Sequence, residues 1–195
     1  LGLSCSGAMR PNHERLGVTN SIVAMPQIHL VEGPVGAGKS TYCISLAARI
    51  DGVHIALDEW FAKLFSPDRP NADVVPWYLQ RKERLLNHIW RHAQTLLASG
   101  ATPVLELGLV QRQSREDFYQ RAHDAGIELK IYVLDASREV RRERVVRRNV
   151  DKGSTFSMVV PESVFEMASD MWQCPDETEI AENHIEFIST EVGPQ

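Results

Sequence analysis

The stretch IHLVEGPVGAGKSTYCISLAARI, residues 28–50, decides how this chain folds. An apolar run reaches a glycine-rich turn, and a lysine, two hydroxyl residues and an apolar helical pattern follow. Gly33-Pro34-Val35-Gly36-Ala37-Gly38-Lys39-Ser40 fits G-x-x-x-x-G-K-[ST] without a mismatch, after a predicted strand and before a predicted helix, as the motif requires. Glycines let backbone amides converge on phosphate oxygens, and the helix N-terminus adds its partial positive charge. Lys39 is expected to reach the β- and γ-phosphates. The Ser40 hydroxyl is expected to ligate Mg²⁺, whose other positions go largely to water and phosphate. Thr41 reads as a helix residue with a minor phosphate contact, so nucleotide binding is expected across Gly33 to Thr41.

Outward from this turn, short β-like runs alternate with longer helical patterns. QIHLVE (27–32) is the first expected strand, with a helix from Gly38 to Ile50. VHIALD (53–58) is the second, ending at Asp58, and EWFAKLFSPDRPNAD (59–73) a short helix and a loop rich in Pro, Asp and Asn. From Trp77 to Ser99, Leu85, Leu86, Ile89, Trp90, Ala93, Leu96 and Leu97 fall at helical spacing, and Gly100 stops the helix. TPVLELGLV (102–110) predicts a third strand, and Ser114 the start of a helix with Glu116 and Asp117 in its first turn. IELKIYVLD (127–135) predicts a fourth strand, SREVRRERVVRRN (137–149) a basic helix, Pro161 to Trp172 another helix and HIEFIST (184–190) a last strand. This alternation implies an α/β fold, a parallel sheet covered on both faces.

Length and composition bound the function. The chain has 195 residues, enough for one domain with a substantial core. A net charge of −5 argues against a protein whose main task is gripping nucleic acid. Cys5, Cys43 and Cys174 lie far apart, which fits reduced thiols in a cytoplasmic chain better than a disulfide frame. No segment approaches the roughly 18 continuous apolar residues of a membrane span. Residues 1–24 carry neither period and read as a flexible extension, with Met25 a candidate start; residues 25–195 form the expected domain.

Several polar residues are candidates for chemistry. Asp58 ends a strand, and in open α/β sheets the carboxyl ends of strands face the ligand crevice. A carboxylate there can orient a substrate hydroxyl and accept its proton; its other reading is a cap on a helix starting at Glu59. Glu106 interrupts an apolar run, which is costly without a partner. That partner is either Mg²⁺ through a water or a basic residue at the sheet edge. Seven basic residues fall between Arg138 and Lys152. Arg141, Arg144 and Arg148 share one helical face, and guanidinium forks suit phosphate oxygens. Arg144 and Arg148 are the candidates for a phosphate-closing lid, the others for a solvated face. Arg112 and Arg115 suit either acceptor contact or a surface role. His88 and His92 read as polar-face residues, and Trp60, Phe61 and Phe65 as packing or acceptor-pocket residues.

The pieces GPVGAGKST, LDEWFAKLFSPDRP, PVLELGLVQRQSREDFYQRAHDAG, YVLDASREVRRERVVRRN and VVPESVFEMAS, spread from about Gln27 to Glu179, resemble the AAA-domain family of P-loop kinases, relatives of zeta toxin and chloramphenicol phosphotransferase. The resemblance implies a three-layer P-loop NTPase fold with a five-stranded parallel sheet of the nucleotide-kinase kind, and ATP with Mg²⁺ as donor. It also implies Asp58 as base, Lys39 and Ser40 at the phosphates, and lid arginines on the 141–148 helix. Relatives often carry Asp where Glu106 stands, and an aromatic near Leu109 or Val110.

The expected function is an ATP-dependent kinase acting on a small-molecule hydroxyl, with neither nucleic acid nor membrane as partner and the oligomeric state left open. A guanine-reading N-K-x-D motif is absent from the sequence. The alternatives are a nucleotide-binding module that regulates a protein partner, and a toxin-like kinase acting on nucleotide sugars.

Overall fold

β1 (Gln27–Glu32) occupies the middle of a five-stranded sheet, and five of its six side chains are buried, Ile28, Leu30 and Val31 among them. A computed structural model of the chain describes residues 26–153 and 155–191; the expected extension, residues 1–24, lies outside them. The other strands are β2 (Gly52–Ala56), β3 (Thr102–Glu106), β4 (Glu128–Asp135) and β5 (Glu186–Ser189). They run in the order β2-β3-β1-β4-β5, every pairing parallel. Parallel neighbours need crossovers, and the described helices supply them: α1 (Lys39–Ile50), α2 (Leu57–Leu64), α3 (Val74–Ala98), α4 (Arg112–Asp124), α5 (Arg138–Asp151), α6 (Glu162–Met171) and α7 (Glu177–Asn183).

Strand alternation divides the core into two layers. Ile28, Leu30, Ile55, Leu105, Ile131 and Val133 point to one face, where they pack with Phe61, Leu85, Ile89, Trp90 and Phe118 from α2, α3 and α4. Val31, Val104 and Leu134 point to the other, against Cys43, Leu46 and Ala47 of α1. The three-layer α/β fold expected from the sequence is therefore the fold observed.

Several boundaries differ from the sequence reading. The second strand ends at Ala56, and Asp58 lies in the first turn of α2. The third strand ends at Glu106, not Val110, because its ladders stop at Ala56↔Glu106 and Leu30↔Leu105 and offer the chain no further partner. α3 starts at Val74; Pro76 is tolerated because first-turn N–H groups have no intrahelical partner. α4 starts at Arg112, two residues before Ser114. α7 was not expected, and it is short, capped by Asp176, whose side chain accepts from Glu179 N at 2.9 Å.

Candidate active site

The phosphate loop leaves β1 at Gly33 and enters α1 at Lys39, with Gly38 as N-cap in a left-handed conformation, φ 92°. Two of its glycines are dictated by neighbours. A Cβ on Gly33 would collide with the Leu134 carbonyl of β4, and one on Gly36 would lie 2.6 Å from the Arg141 carbonyl of α5. Gly36 also has φ +82°, which side-chain-bearing residues rarely adopt. Lys39 folds back onto the loop, its Nζ donating to Gly33 O at 2.9 Å and Pro34 O at 3.0 Å. Thr41 is exposed on α1.

Glu106, at the end of β3, points to the α1 side of the sheet because it follows Val104 by two residues. Its Oε1 accepts from Ser40 Oγ at 3.0 Å. His54 Nε2 lies 3.4 Å from its Oε2, an approach at which neither atom completes a hydrogen bond. Burial alone would raise the pKa of this carboxyl; His54, the Lys39 charge and the Ser40 hydroxyl outweigh it and hold the group below its ordinary value. A hydroxyl and an ionised carboxylate converging beside the loop suit a hard cation such as Mg²⁺.

Asp58 is exposed by surface area, yet neighbouring protein takes hydration from its carboxyl. That loss of hydration, with the negative charge of Glu106, raises its pKa against the opposing pull of Lys39, Lys82 and Arg148. Tyr78 of α3 also feels Asp58: burial and this charge push its phenol up to about 12.

The three arginines of α5 separate into different roles. Arg141 is buried, donating from Nε to Ala136 O and from Nη1 to Val35 O and Ser169 Oγ, and so straps the helix to the phosphate loop. Arg144 donates to the hydroxyl and carbonyl of Thr190. Arg148 differs. Among the described residues its Nε is a buried donor without a partner, and the charges of Asp58 and Glu106 act on it. A cavity of about 570 Å³ runs along the loop, walled by Gly38, Lys39, Ser40, Thr41, Glu106, Arg144, Arg148 and Thr190. Its size suits a nucleotide-sized ligand.

Other expectations resolve into packing. Arg115 is fully buried in a two-pronged ion pair with Glu179, at 2.6 and 2.8 Å, with its guanidinium over Trp172. Arg112 pairs with Glu116 and Asp176. Phe61 is buried against Phe65, Trp77 and Tyr78, and Trp60 leans on His88 and His92.

Sequence reasoning missed Glu32. It continues the Ile28 and Leu30 face of β1, is fully buried, and accepts from Leu109 N at 3.1 Å with Oε2, while Oε1 has no partner among the described residues. Burial raises its pKa to about 7, against Lys39, the Leu109 amide, Arg115 and Lys82. The available signal was an acid closing an apolar run, the feature that singled out Glu106.

No curated protein matches the chain. Among solved structures, it is similar to a gluconokinase from Sinorhizobium meliloti 1021, at 20% identity and a TM-score of 0.51 over 85% of this chain and 83% of that one. A shikimate kinase from Acinetobacter baumannii in complex with shikimate is similar at 20% identity and 0.54, over 87% and 86%. Kti12 from Chaetomium thermophilum in complex with ADP-AlF3 is similar at 16% identity and 0.54, over 83% and 88%. These likenesses give the fold as that of P-loop kinases. The family described as "AAA domain" matches residues 28–171, from the first strand through α6. That span holds the phosphate loop, Glu106 and α5, and the chain belongs to this AAA-domain family, with a P-loop kinase fold.

Proposed function

We propose that the protein is an ATP-dependent kinase that phosphorylates a hydroxyl group of a small molecule. The observation that carries this reading is the cavity along the phosphate loop walled by Lys39, Glu106 and Arg148, with Asp58 near enough for its charge to bear on Arg148. A nucleotide-binding module needs the loop and a metal ligand; it does not need a second carboxylate facing them.

The acceptor hydroxyl, held by Asp58, attacks the γ-phosphorus. An O–P bond forms to the acceptor, the bond to the ADP oxygen breaks, and the hydroxyl proton passes to Asp58. A raised pKa suits Asp58 to that transfer. Lys39 exchanges its loop carbonyls for phosphate oxygens, and Arg148 finds in the moving phosphoryl group the acceptor its Nε lacks. Arg144 stays in the cavity wall. Ser40 and Glu106 would hold Mg²⁺, directly and through water, and the ion would supply positive charge to the phosphate oxygens. Among the described residues no helix is long and apolar enough to cross a membrane; the scattered cysteines support a cytoplasmic setting.

ADP production from Mg·ATP, measured across pooled antibiotics, nucleosides, sugars, nucleotide sugars and polyols, tests the reading. Turnover should rise with one pool and fall by roughly 100-fold or more in Asp58→Asn. Slow turnover indifferent to every pool, and equal in the variant, would remove Asp58 as base and point to a regulatory nucleotide switch.

A further inference from the structure

Behind the phosphate loop, three side chains of different chemistry converge. The β2–β3 ladder aligns His54 with Val104 and Ala56 with Glu106, so His54 and Glu106 project from the same face, two residues apart in register. That face is covered by α1, where Cys43 packs beside Val104. One donor atom from each of Cys43, His54 and Glu106 lies within 4.8 Å of the other two.

We propose that Cys43, His54 and Glu106 form a binding site for a thiophilic divalent cation of the zinc class, with a water as fourth ligand. A thiolate, an imidazole and a carboxylate are the three donor types this ion takes, and three protein ligands plus water is a coordination it commonly adopts. Bonds of about 2.0–2.3 Å in a tetrahedron place ligand atoms roughly 3.3–3.6 Å apart. The edge from His54 Nε2 to Glu106 Oε2, at 3.4 Å, already has that length.

Unsatisfied polar atoms point the same way. Among the described residues His54 Nε2 and Glu106 Oε2 are buried and complete no hydrogen bond, although they face each other. Buried polar atoms left so carry a desolvation cost that a shared cation removes. Glu106 is also pre-oriented, because its other oxygen is held by Ser40. A small cavity of about 180 Å³, lined by Ser40, His54, Ala56 and Glu59, opens beside His54.

The thiol is the demanding ligand. Burial pushes the Cys43 pKa up, so the metal-free protein carries the S–H form. On binding, the S–H bond gives its proton to solvent and a sulfur–metal bond replaces it, driven by the charge of the ion. Affinity therefore rises with pH. The site shares Glu106 with the kinase reading but takes the oxygen that faces His54 rather than the one held by Ser40, and its test uses neither nucleotide nor acceptor.

Metal-free protein would be titrated with Co²⁺ and then with Zn²⁺. The expected result is one equivalent of four-coordinate cobalt with a sulfur-to-cobalt charge-transfer band, displaced by one equivalent of Zn²⁺. Cys43→Ser should abolish that band. His54→Gln, at a partly exposed position that tolerates the change, should weaken Zn²⁺ binding by roughly 10-fold or more, at least the cost of losing an outer-shell partner. Absence of the band in the unaltered protein overturns the site, as does a band that survives Cys43→Ser, since another of the chain's cysteines, Cys5 or Cys174, would then be its source. Unchanged Zn²⁺ affinity in His54→Gln overturns it equally, and that variant decides the question if Cys43→Ser does not fold.

Discussion

Arg144 is fastened to Thr190, donating to its hydroxyl at 3.1 Å and to its carbonyl oxygen, whereas Arg148, one turn later on the same helix, keeps a buried Nε without a partner among the described residues. Thr190 in turn donates to Ala37 O of the phosphate loop at 2.9 Å. Arg144 thus ties α5 to the chain beyond β5, and Arg148 is the arginine proposed above to meet the phosphoryl group. Arg144→Ala should cost about 2 kcal/mol of stability, the worth of hydrogen bonds from a charged donor. Arg148→Ala should leave stability unchanged or raised, since it removes a buried unsatisfied donor, and should lower turnover by roughly 100- to 1000-fold. Urea unfolding and ADP formation on both variants separate the two effects.

Glu32 makes stability depend on pH in an unusual direction. Its pKa in the folded chain, about 7, lies above the ordinary 4.5, so the folded state binds the proton more tightly than the unfolded one. The contribution is fully present below about pH 4.5 and is lost as the pH rises through about 7. Ionisation is opposed because burial outweighs the charges of Lys39, Arg115 and Lys82 and the Leu109 amide. The loss is on the order of 3 kcal/mol. Glu32→Gln removes the titration, and melting curves at pH 5 and pH 8 should differ less for the variant than for the parent. An equal difference in both would assign the pH dependence to other groups.

Removing one partner of the Arg115–Glu179 pair should be among the most destabilising changes in the chain. Both side chains are buried, and Glu179→Ala strands a guanidinium that Trp172 and the Leu109 carbonyl cannot compensate. A loss of about 3–5 kcal/mol is expected. Denaturant unfolding measures it, and turnover per folded molecule should be unaffected at temperatures where the variant stays folded.

The sheet and the phosphate loop were legible because their signals are local. Apolar runs, a glycine pattern and the step from strand to helix all fall within 28–50, and Glu106 stood out as an acid in an apolar run. What remained hidden depends on partners far along the chain. Arg115 read as either an acceptor contact or a surface residue because nothing near it announces Glu179, 64 residues away. Helical periodicity put Arg141, Arg144 and Arg148 on one face but could not tell that Val35 and Thr190 would engage the first two. Asp58 fell on a helix because strand length is set by the neighbouring strand, which ends at Glu106. α7 has seven residues and carries too little apolar pattern to reveal itself.

The closeness of Gly36 to the Arg141 carbonyl restricts what can be grafted here. The motif leaves the position of Gly36 open to any residue, yet in this chain a methyl group there would strike the backbone of α5. Transplanting the phosphate loop of another P-loop protein would therefore fail unless its fourth residue were glycine or α5 were re-sited with it. Loop and helix behave as one cassette, to be exchanged together or left alone.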